Sequence, residues 1–398
     1  EFGKPVNLDE WAVARKRLYD TNVFRIVDIQ PTPVGDPVNG VQQVKALVSL
    51  EEYPEWNFRY GFQVEGERTL EAEEFTTARN LGVVAELKNS NLFGRALTLG
   101  LFGLYEYDSR DATVFLSTSR LFGWRARSSL YMFVSRDRLR DERGEEITAI
   151  NDIQGISADQ RWRRSKWQLV YGYRFERNRT FDPTPDPVSP LDFITNLAKL
   201  SAAVVFDRRD DPINSRTGTF SSVSLDQAGA WLGSDVNNRK LLVQQFAFVP
   251  LGELVLASRV QYGRAFGRDE LLPSDRFRAG GAASVRGYSE DSLGPRRFGV
   301  PIGGEEMVVL NQEVRFPIYR WVRGVGFIDA GKICCGDANV AEFNKLRAGY
   351  GFGLRFDTPV GLLRADVGFP GSDLPTNGGG AAPPPRKARF HFGFGHIF

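Results

Sequence analysis

The sequence predicts an all-β membrane protein: a 16-stranded antiparallel transmembrane β-barrel over residues 55–398, preceded by a small α+β unit over residues 1–54. Three observations predict it. From Trp56 onward, apolar and polar residues alternate with the period of two expected of strands with one apolar and one polar face. The apolar positions hold large aromatics, and many of the polar ones hold Arg, Glu, Asp and Gln. That arrangement suits lipid outside and a polar lumen inside better than a soluble sandwich or propeller with a buried core. The connections alternate between short turns and long polar loops, as in bacterial outer-membrane barrels.

The elements follow in order. Leu8–Asp20 places Trp11, Ala14 and Leu18 on one helical face, with Arg15, Lys16 and Arg17 largely around the rest. Val23–Gln30 and Val41–Leu50 read as strands separated by Pro31, Pro33, Gly35, Pro37 and Gly40. The alternation is plain in Trp56–Glu65, where Trp56, Phe58, Tyr60, Phe62 and Val64 take turns with Asn57, Arg59, Gly61, Gln63 and Glu65. It recurs in Trp167–Glu176, in Val308–Phe316 and in Tyr350–Asp357. Sixteen such segments begin near residues 56, 79, 94, 112, 125, 147, 165, 194, 217, 238, 254, 307, 322, 347, 362 and 387. Short turns fall at Asn89–Phe93, Arg163–Lys166, Val249–Glu253, Ile318–Val322 and Thr358–Leu362. Longer loops fall at Glu67–Ala78, Arg136–Glu146, Arg177–Asp192, Arg268–Glu306, Ile333–Leu346 and Gly371–Arg386. Around Val325, Phe327 and Asp329 the rule bends, because apolar residues and an acid share one parity.

Composition removes several function classes. The 51 basic and 49 acidic side chains leave +2, so bulk charge gives no case for nucleic acid. With 42% hydrophobic residues and a mean hydropathy of −0.30, no uncharged stretch approaches the ~20 residues of a spanning helix. The 41 arginines, against 10 lysines, read as lumen and loop charges that can also meet lipopolysaccharide phosphates. Two histidines and two cysteines leave little material for a metal site or a His-based triad. Cys334 and Cys335 are adjacent, and neighbours rarely bridge. His391 and His396 fall on opposite strand faces and cannot converge on one metal. Gly349, Gly351 and Gly353 imitate a phosphate-loop spacing, but no strand-to-helix turn follows. There is no Gly-x-Ser-x-Gly elbow. No enzymatic chemistry, cofactor or metal is expected. Neither end carries a targeting segment.

The informative motif lies in the longest loop, 268–306. It runs Arg276-Phe277-Arg278-Ala279-Gly280-Gly281, then Ser284-Val285-Arg286-Gly287-Tyr288, then Ser292-Leu293-Gly294-Pro295. A long loop folded into a wide lumen needs an anchor, and Arg286 offers a planar donor fork that can engage two carboxylates. Gly287 lets the backbone turn tightly. Further motifs are Phe206-Asp207-Arg208-Arg209-Asp210-Asp211-Pro212 leading into Arg216-Thr217-Gly218, Gln312-Glu313-Val314-Arg315-Phe316-Pro317, Gly326-Phe327-Ile328-Asp329-Ala330-Gly331, and Gly353 to Gly361. The terminal strand, Arg389 to Phe398, ends in an aromatic.

Together these motifs resemble the loop-six signature and central hairpins of the BamA/TamA superfamily of outer-membrane assembly factors. Residues 1–54 resemble the second half of a POTRA module, the periplasmic repeat of that superfamily, so the resemblance implies a chain that begins part-way through a module. It implies a bacterial outer-membrane location with the N-terminal unit in the periplasm. It places Glu313 and Asp329 on the inner wall as partners of Arg286 within Val285, Arg286, Gly287 and Tyr288. It makes Phe398 the end of a C-terminal assembly signal. It also implies a lateral seam between the first and last strands, at Phe58, Tyr60, Gly61, Phe62, Phe392, Gly393 and Gly395, which opens and templates incoming strands. Glycines there weaken the strands. The implied function is insertion and folding of other barrels, with unfolded outer-membrane client proteins and the lipid bilayer as partners, alongside periplasmic chaperones or accessory subunits. The alternative within the superfamily is a two-partner-secretion pore that exports an unfolded protein. A passive porin is a weaker alternative, because it would want an open lumen.

Overall fold

The computed structural model describes residues 5–21, 23–37, 40–64, 67–69, 81–119, 126–140, 147–183, 192–267, 269, 271–272, 275–297, 300–335, 345–358, 361–372 and 387–394. Helix α1 (Leu8–Tyr19) begins at Asn7, whose side chain accepts a hydrogen bond from the Asp9 N–H at 3.0 Å. Asp9 and Glu10 in its first turn and Lys16 and Arg17 in its last complement the helix dipole. Trp11, Ala14 and Leu18 form its half-buried face. Strands β1 (Phe24–Pro33) and β2 (Val44–Glu52) pair antiparallel as a separate two-stranded sheet. The Tyr19 hydroxyl accepts from the Val27 N–H at 3.1 Å and ties helix to sheet. Ile26, Leu47, Val48 and Leu50 remain exposed, so this unit leaves much apolar surface open. Helix and hairpin alone do not identify the module expected from the sequence.

The remaining chain forms β3 (Trp56–Val64), β4 (Glu67–Thr69), β5 (Leu81–Leu92), β6 (Leu97–Tyr105), β7 (Ser109–Thr118), β8 (Arg127–Arg140) and β9 (Ile147–Arg164). It continues with β10 (Trp167–Phe181), β11 (Asp192–Asp207), β12 (Gly218–Ala228), β13 (Asn238–Leu251) and β14 (Leu254–Gly267). Within the long loop lie the short pair β15 (Arg296–Arg297) and β16 (Val300–Pro301). The chain ends with β17 (Glu306–Tyr319), β18 (Val322–Cys334), β19 (Arg347–Thr358), β20 (Gly361–Pro370) and β21 (Arg389–Phe394). With β3 and β4 taken as two parts of the first strand and β15–β16 set aside, the described residues make one antiparallel sheet of 16 strands. Each strand starts within about three residues of its expected position.

The sheet curls round into a closed barrel, and its two ends meet at the first and last strands. Strand β10 pairs with β11 from Trp167↔Phe206 through Phe181↔Asp192 without interruption. Among the described residues, the last strand, β21, meets β4 at Arg389↔Thr69, Phe390↔Arg68 and His391↔Glu67. Strand β3 pairs with β5 from Trp56↔Asn89 to Val64↔Leu81 and lies next to β21 in the strand order of the closed barrel.

Loop length follows the expected alternation with exceptions. The barrel end that carries the long loop also carries the brief connection 106–108, and the opposite end carries 119–126 and 208–217. Inward parity is polar over much of the wall, but on β18 it is Val325, Phe327, Asp329 and Ile333 that are buried inside. The polar-lumen rule fails there because the long loop packs on that wall. Phe277, Ala279, Val285, Tyr288 and Leu293 of the loop form one buried cluster with Met307, Val309 and Ile333 of the wall. None of the described helices is long and apolar enough to cross a membrane, which says nothing about strands.

Candidate functional site

The long loop is seated in the barrel by both of its arms. Phe277 and Gly304 exchange two backbone hydrogen bonds of 2.9 Å, closing the base of the loop. Beside them, the Asp275 carboxylate lies 3.1 Å from Lys199 Nζ on β11 and 3.4 Å from Lys240 Nζ on β13. Burial would push the Asp275 carboxyl up, but the Lys199 and Lys240 ammonium groups outweigh it and hold it below the usual carboxylate range.

The tip of the loop presents Arg286, which is wholly buried. Its Nε and Nη2 donate to the two oxygens of Asp329 at 2.6 and 2.9 Å, a bidentate fork. Its Nη1 donates to Glu313 Oε1 at 2.8 Å and to Asp366 Oδ2 at 3.4 Å, and its backbone N–H donates to Asp329 at 3.1 Å. The guanidinium carbon sits 3.4 Å from the centre of the Phe327 ring. Burial would lower the Arg286 pKa, but Glu313 and Asp329 more than reverse that, and the group stays charged. The structure thus brings together Arg286, Glu313 and Asp329, the three residues that the resemblance implies in one anchor.

Several neighbours were not legible beforehand. Asp366 on β20 is a third carboxylate, and Arg355 on β19 donates to it at 2.5 and 3.2 Å. Arg315 on β17 donates to Glu313 at 2.9 Å. Three buried arginines, Arg286, Arg315 and Arg355, therefore bond to the buried carboxylates Glu313, Asp329 and Asp366, and the buried Arg259 and Arg364 lie close by. The pairing matters, because a buried charge is tolerated only when paired and hydrogen-bonded. Asn311 Nδ2 donates to Asp329 at 2.8 Å and to the Ser284 carbonyl at 2.6 Å, so the wall also holds the loop backbone. The available signal was parity: Asp366 and Arg355 lie at inward positions of their strands, as Glu313 does.

His391 has a role that sequence did not suggest. Its Nε2 accepts the Gly287 N–H at 3.0 Å, which fixes the proton on Nδ1 and links the loop tip to the last strand. Gly287 has φ +93°, and a Cβ there would press on the Phe369 backbone. Val285 is fully buried, and the Tyr288 hydroxyl donates to the carbonyl of Ala348 or Ser372, each 2.9 Å away. Opposite them, β19 presents Gly349, Gly351 and Gly353 to the lumen. A Cβ at these positions would meet, respectively, the Arg286 carbonyl, the Val367 carbonyl with the Phe327 ring, and the Asp366 carboxylate. The alternating glycines clear space for the anchor and its supports.

The residues expected at the seam lie apart from the anchor. Phe58, Tyr60 and Phe62 point outward and are 63–74% exposed. Gly61 points inward, and a Cβ there would touch only Val84 at 3.8 Å, so nothing steric demands glycine. Gly393 is different: it faces the Arg364 side chain, which a Cβ would crowd at 2.9 Å. Phe392 is outward and pairs with Ala365. Gly395, His396 and Phe398 lie outside the described residues. Cys334 is buried and Cys335 exposed, and both are free thiols.

Comparison with known proteins places this architecture. The family model described as the Omp85 superfamily domain matches residues 91–398. The outer membrane protein assembly factor BamA of Nitratidesulfovibrio vulgaris is 26% identical over 245 residues, covering 57% of this chain and 29% of that protein. The chloroplastic outer envelope protein 39 of Arabidopsis thaliana is 30% identical over 147 residues, 34% of this chain and 38% of that one. The human sorting and assembly machinery component 50 homolog is 29% identical over 181 residues, 39% and 37% of the two chains. The chain therefore spans well under half the length of these relatives. Among solved structures, BamA from Haemophilus ducreyi lacking POTRA domains 1–3 matches with TM-score 0.78 and 17% identity over 98% of this chain and 79% of that one. CdiB from Escherichia coli matches with TM-score 0.60 and 16% identity over 99% and 72%. At these identities the structural matches speak to the fold.

Proposed function

The chain belongs to the Omp85 superfamily, and on that premise we propose that it is an outer-membrane assembly factor that folds client β-barrel proteins into the bilayer through the seam between its first and last strands. The observation that carries the reading is that the first and last strands of the chain close the wall, β21 pairing with β4 from Arg389↔Thr69 to His391↔Glu67 among the described residues. That joint is the one place where the wall can part without straining a connecting turn, and a parted edge offers backbone donors and acceptors to which an incoming strand can add. The exposed Phe58, Tyr60 and Phe62 line the lipid side of that edge, and Gly61 weakens it.

Within this reading the Arg286 cluster is structural. It anchors the long loop inside the barrel, and through His391 it steadies the last strand from within. Residues 1–54 serve as the second half of a POTRA module in the periplasm, which accounts for the open apolar face of the hairpin. The partners are unfolded outer-membrane client proteins and the surrounding lipid, with chaperones or accessory subunits on the periplasmic side. No covalent chemistry is required, since client folding itself supplies the free energy. Reconstitution in liposomes tests the reading: the folded chain should accelerate insertion of an unfolded small barrel protein over empty liposomes. No acceleration by properly folded protein would count against it.

The similarity to CdiB, a two-partner-secretion protein, keeps a second reading, an export pore for an unfolded protein. That use would require the long loop to leave the lumen, against the buried ion pairs that seat it. Export of an unfolded chain across liposomes, with no effect on barrel insertion, would favour it.

A further inference from the structure

The outer face of β6–β11 carries a feature that neither the anchor nor the seam uses. Register places Tyr105, Arg110, Arg136, Asp152, Arg179 and Ile194 in one row across six strands, each paired with the next. The row shares its face with the exposed Met132, Val134 and Ile156, so it points outward. Arg177 stands on the same face, one pleat nearer the middle of the barrel. These side chains line a hollow of about 780 Å³. Toward the turn-bearing end, a second hollow of about 740 Å³ is lined on that face by Leu116, Leu130, Ala158, Tyr173, Leu200 and Leu225.

Charge is not balanced in the upper hollow. Arg136 is paired with Asp152 through two bonds of 2.6 Å, and Arg179 with Asp192 at 2.9 and 2.7 Å. Arg110 lies 4.9 Å from the Tyr105 ring centre, and Arg177 has no ion-pair partner among the described residues. On the outer face four exposed guanidiniums thus meet two carboxylates, Asp152 and Asp192, while Asp111, also at the hollow, stands at an inward position of β7.

Height along the strand locates them. Trp167, whose ring packs on Phe206 at 4.4 Å, marks the turn-bearing end of β10. From there to Arg177 is about 33 Å of strand, or about 25 Å once tilted, which is the height of a barrel's apolar band. The arginines stand at the headgroup level of the leaflet on the long-loop side, directly above an apolar hollow.

Resting on the outer-membrane placement proposed above, we infer that this face binds the phosphate-bearing headgroup of an outer-leaflet glycolipid on Arg110, Arg136, Arg177 and Arg179, with acyl chains over the apolar hollow below. Guanidinium forks match phosphate oxygens in geometry and charge. A soluble anion would gain nothing from the apolar hollow, whereas a lipid uses both.

Native mass spectrometry of the full chain in detergent micelles tests this with lipid A carrying both phosphates. Dephosphorylated lipid A, phosphatidylcholine and inorganic phosphate form the comparison arms. Bis-phosphorylated lipid A should bind at least about tenfold more tightly than the dephosphorylated form. The double variant Arg110→Gln/Arg177→Gln touches no carboxylate pair and should weaken binding about tenfold. Arg164→Gln, exposed at the turn-bearing end, should leave it unchanged. Equal binding of the dephosphorylated lipid, or wild-type affinity in the folded double variant, would overturn the inference. Displacement of the lipid by equimolar inorganic phosphate would reduce the site to a generic anion patch and equally overturn it. No client is present in this measurement, so its failure would leave the assembly reading standing.

Discussion

Arg286 holds its place because it supplies the ion pair of the buried Asp329, whereas Glu313 and Asp366 are also paired with Arg315 and Arg355. Arg286→Ala should therefore destabilise loop seating by about 3–5 kcal/mol, the usual cost of breaking a buried pair from one side. The loop should become cleavable by trypsin at Arg276, Arg278 or Arg296 while the barrel stays folded; an unchanged digestion pattern would refute the anchor. Arg286→Lys should rescue little, because an ammonium cannot supply the fork that grips Asp329. Asp275 acts at the other arm and carries a pH signature. Its native carboxyl titrates below the ordinary value, so its pairing with Lys199 and Lys240 stabilises fully above about pH 4 and is lost as pH falls through the depressed native value. The melting temperature of Asp275→Asn should lie below that of the native chain at pH 7, and the gap should narrow as pH falls below about 4. A gap that stays constant across that range would contradict the assignment.

At the scale of elements, β19 shows how a strand is shaped by what lies against it. Gly349→Val should disturb loop seating, because its Cβ would collide with the Arg286 carbonyl. Gly326→Val on the neighbouring β18 adds a side chain where nothing lies within 4 Å and should be neutral or mildly stabilising. Similar loop protection in both variants, read by hydrogen exchange, would show that the glycines are not making room for the loop. These strands also mark what sequence could and could not reveal. Alternation located β10 and β19 closely because a barrel strand must present one face to each solvent, and that periodicity is local. The pairing of Arg286 with Glu313 and Asp329 came from motif resemblance, with parity agreeing for Glu313. The odd parity of β18 could not be interpreted from the chain alone, because its cause is a distant loop: Ile333 packs with Val285 and Leu293 of the loop, and the Phe327 ring lies under Arg286. For the same reason the lumen-facing glycines of β19 could be read only as an abortive phosphate motif, and His391 only as a lumen or interface residue whose partner was unknown. Their partners are remote in sequence and close only once the barrel has formed.

Across the whole molecule, long ladders such as β10–β11 and the loop anchor tie neighbouring strands together, while the first and last strands are joined by no connecting turn. Under the proposed function, opening takes place at that joint. In that reading the anchor keeps the opening from spreading, since β17, β18, β19, β20 and, through His391, β21 are all tied to the loop. The most direct test is to lock the seam. Arg68→Cys with Phe390→Cys, in a chain whose Cys334 and Cys335 are replaced by Ser, places two thiols at directly paired positions across the joint. In liposomes the reduced form should accelerate insertion of an unfolded barrel protein, the oxidised form should not, and reductant should restore the activity. Equal acceleration by the oxidised and reduced forms would contradict assembly through this seam.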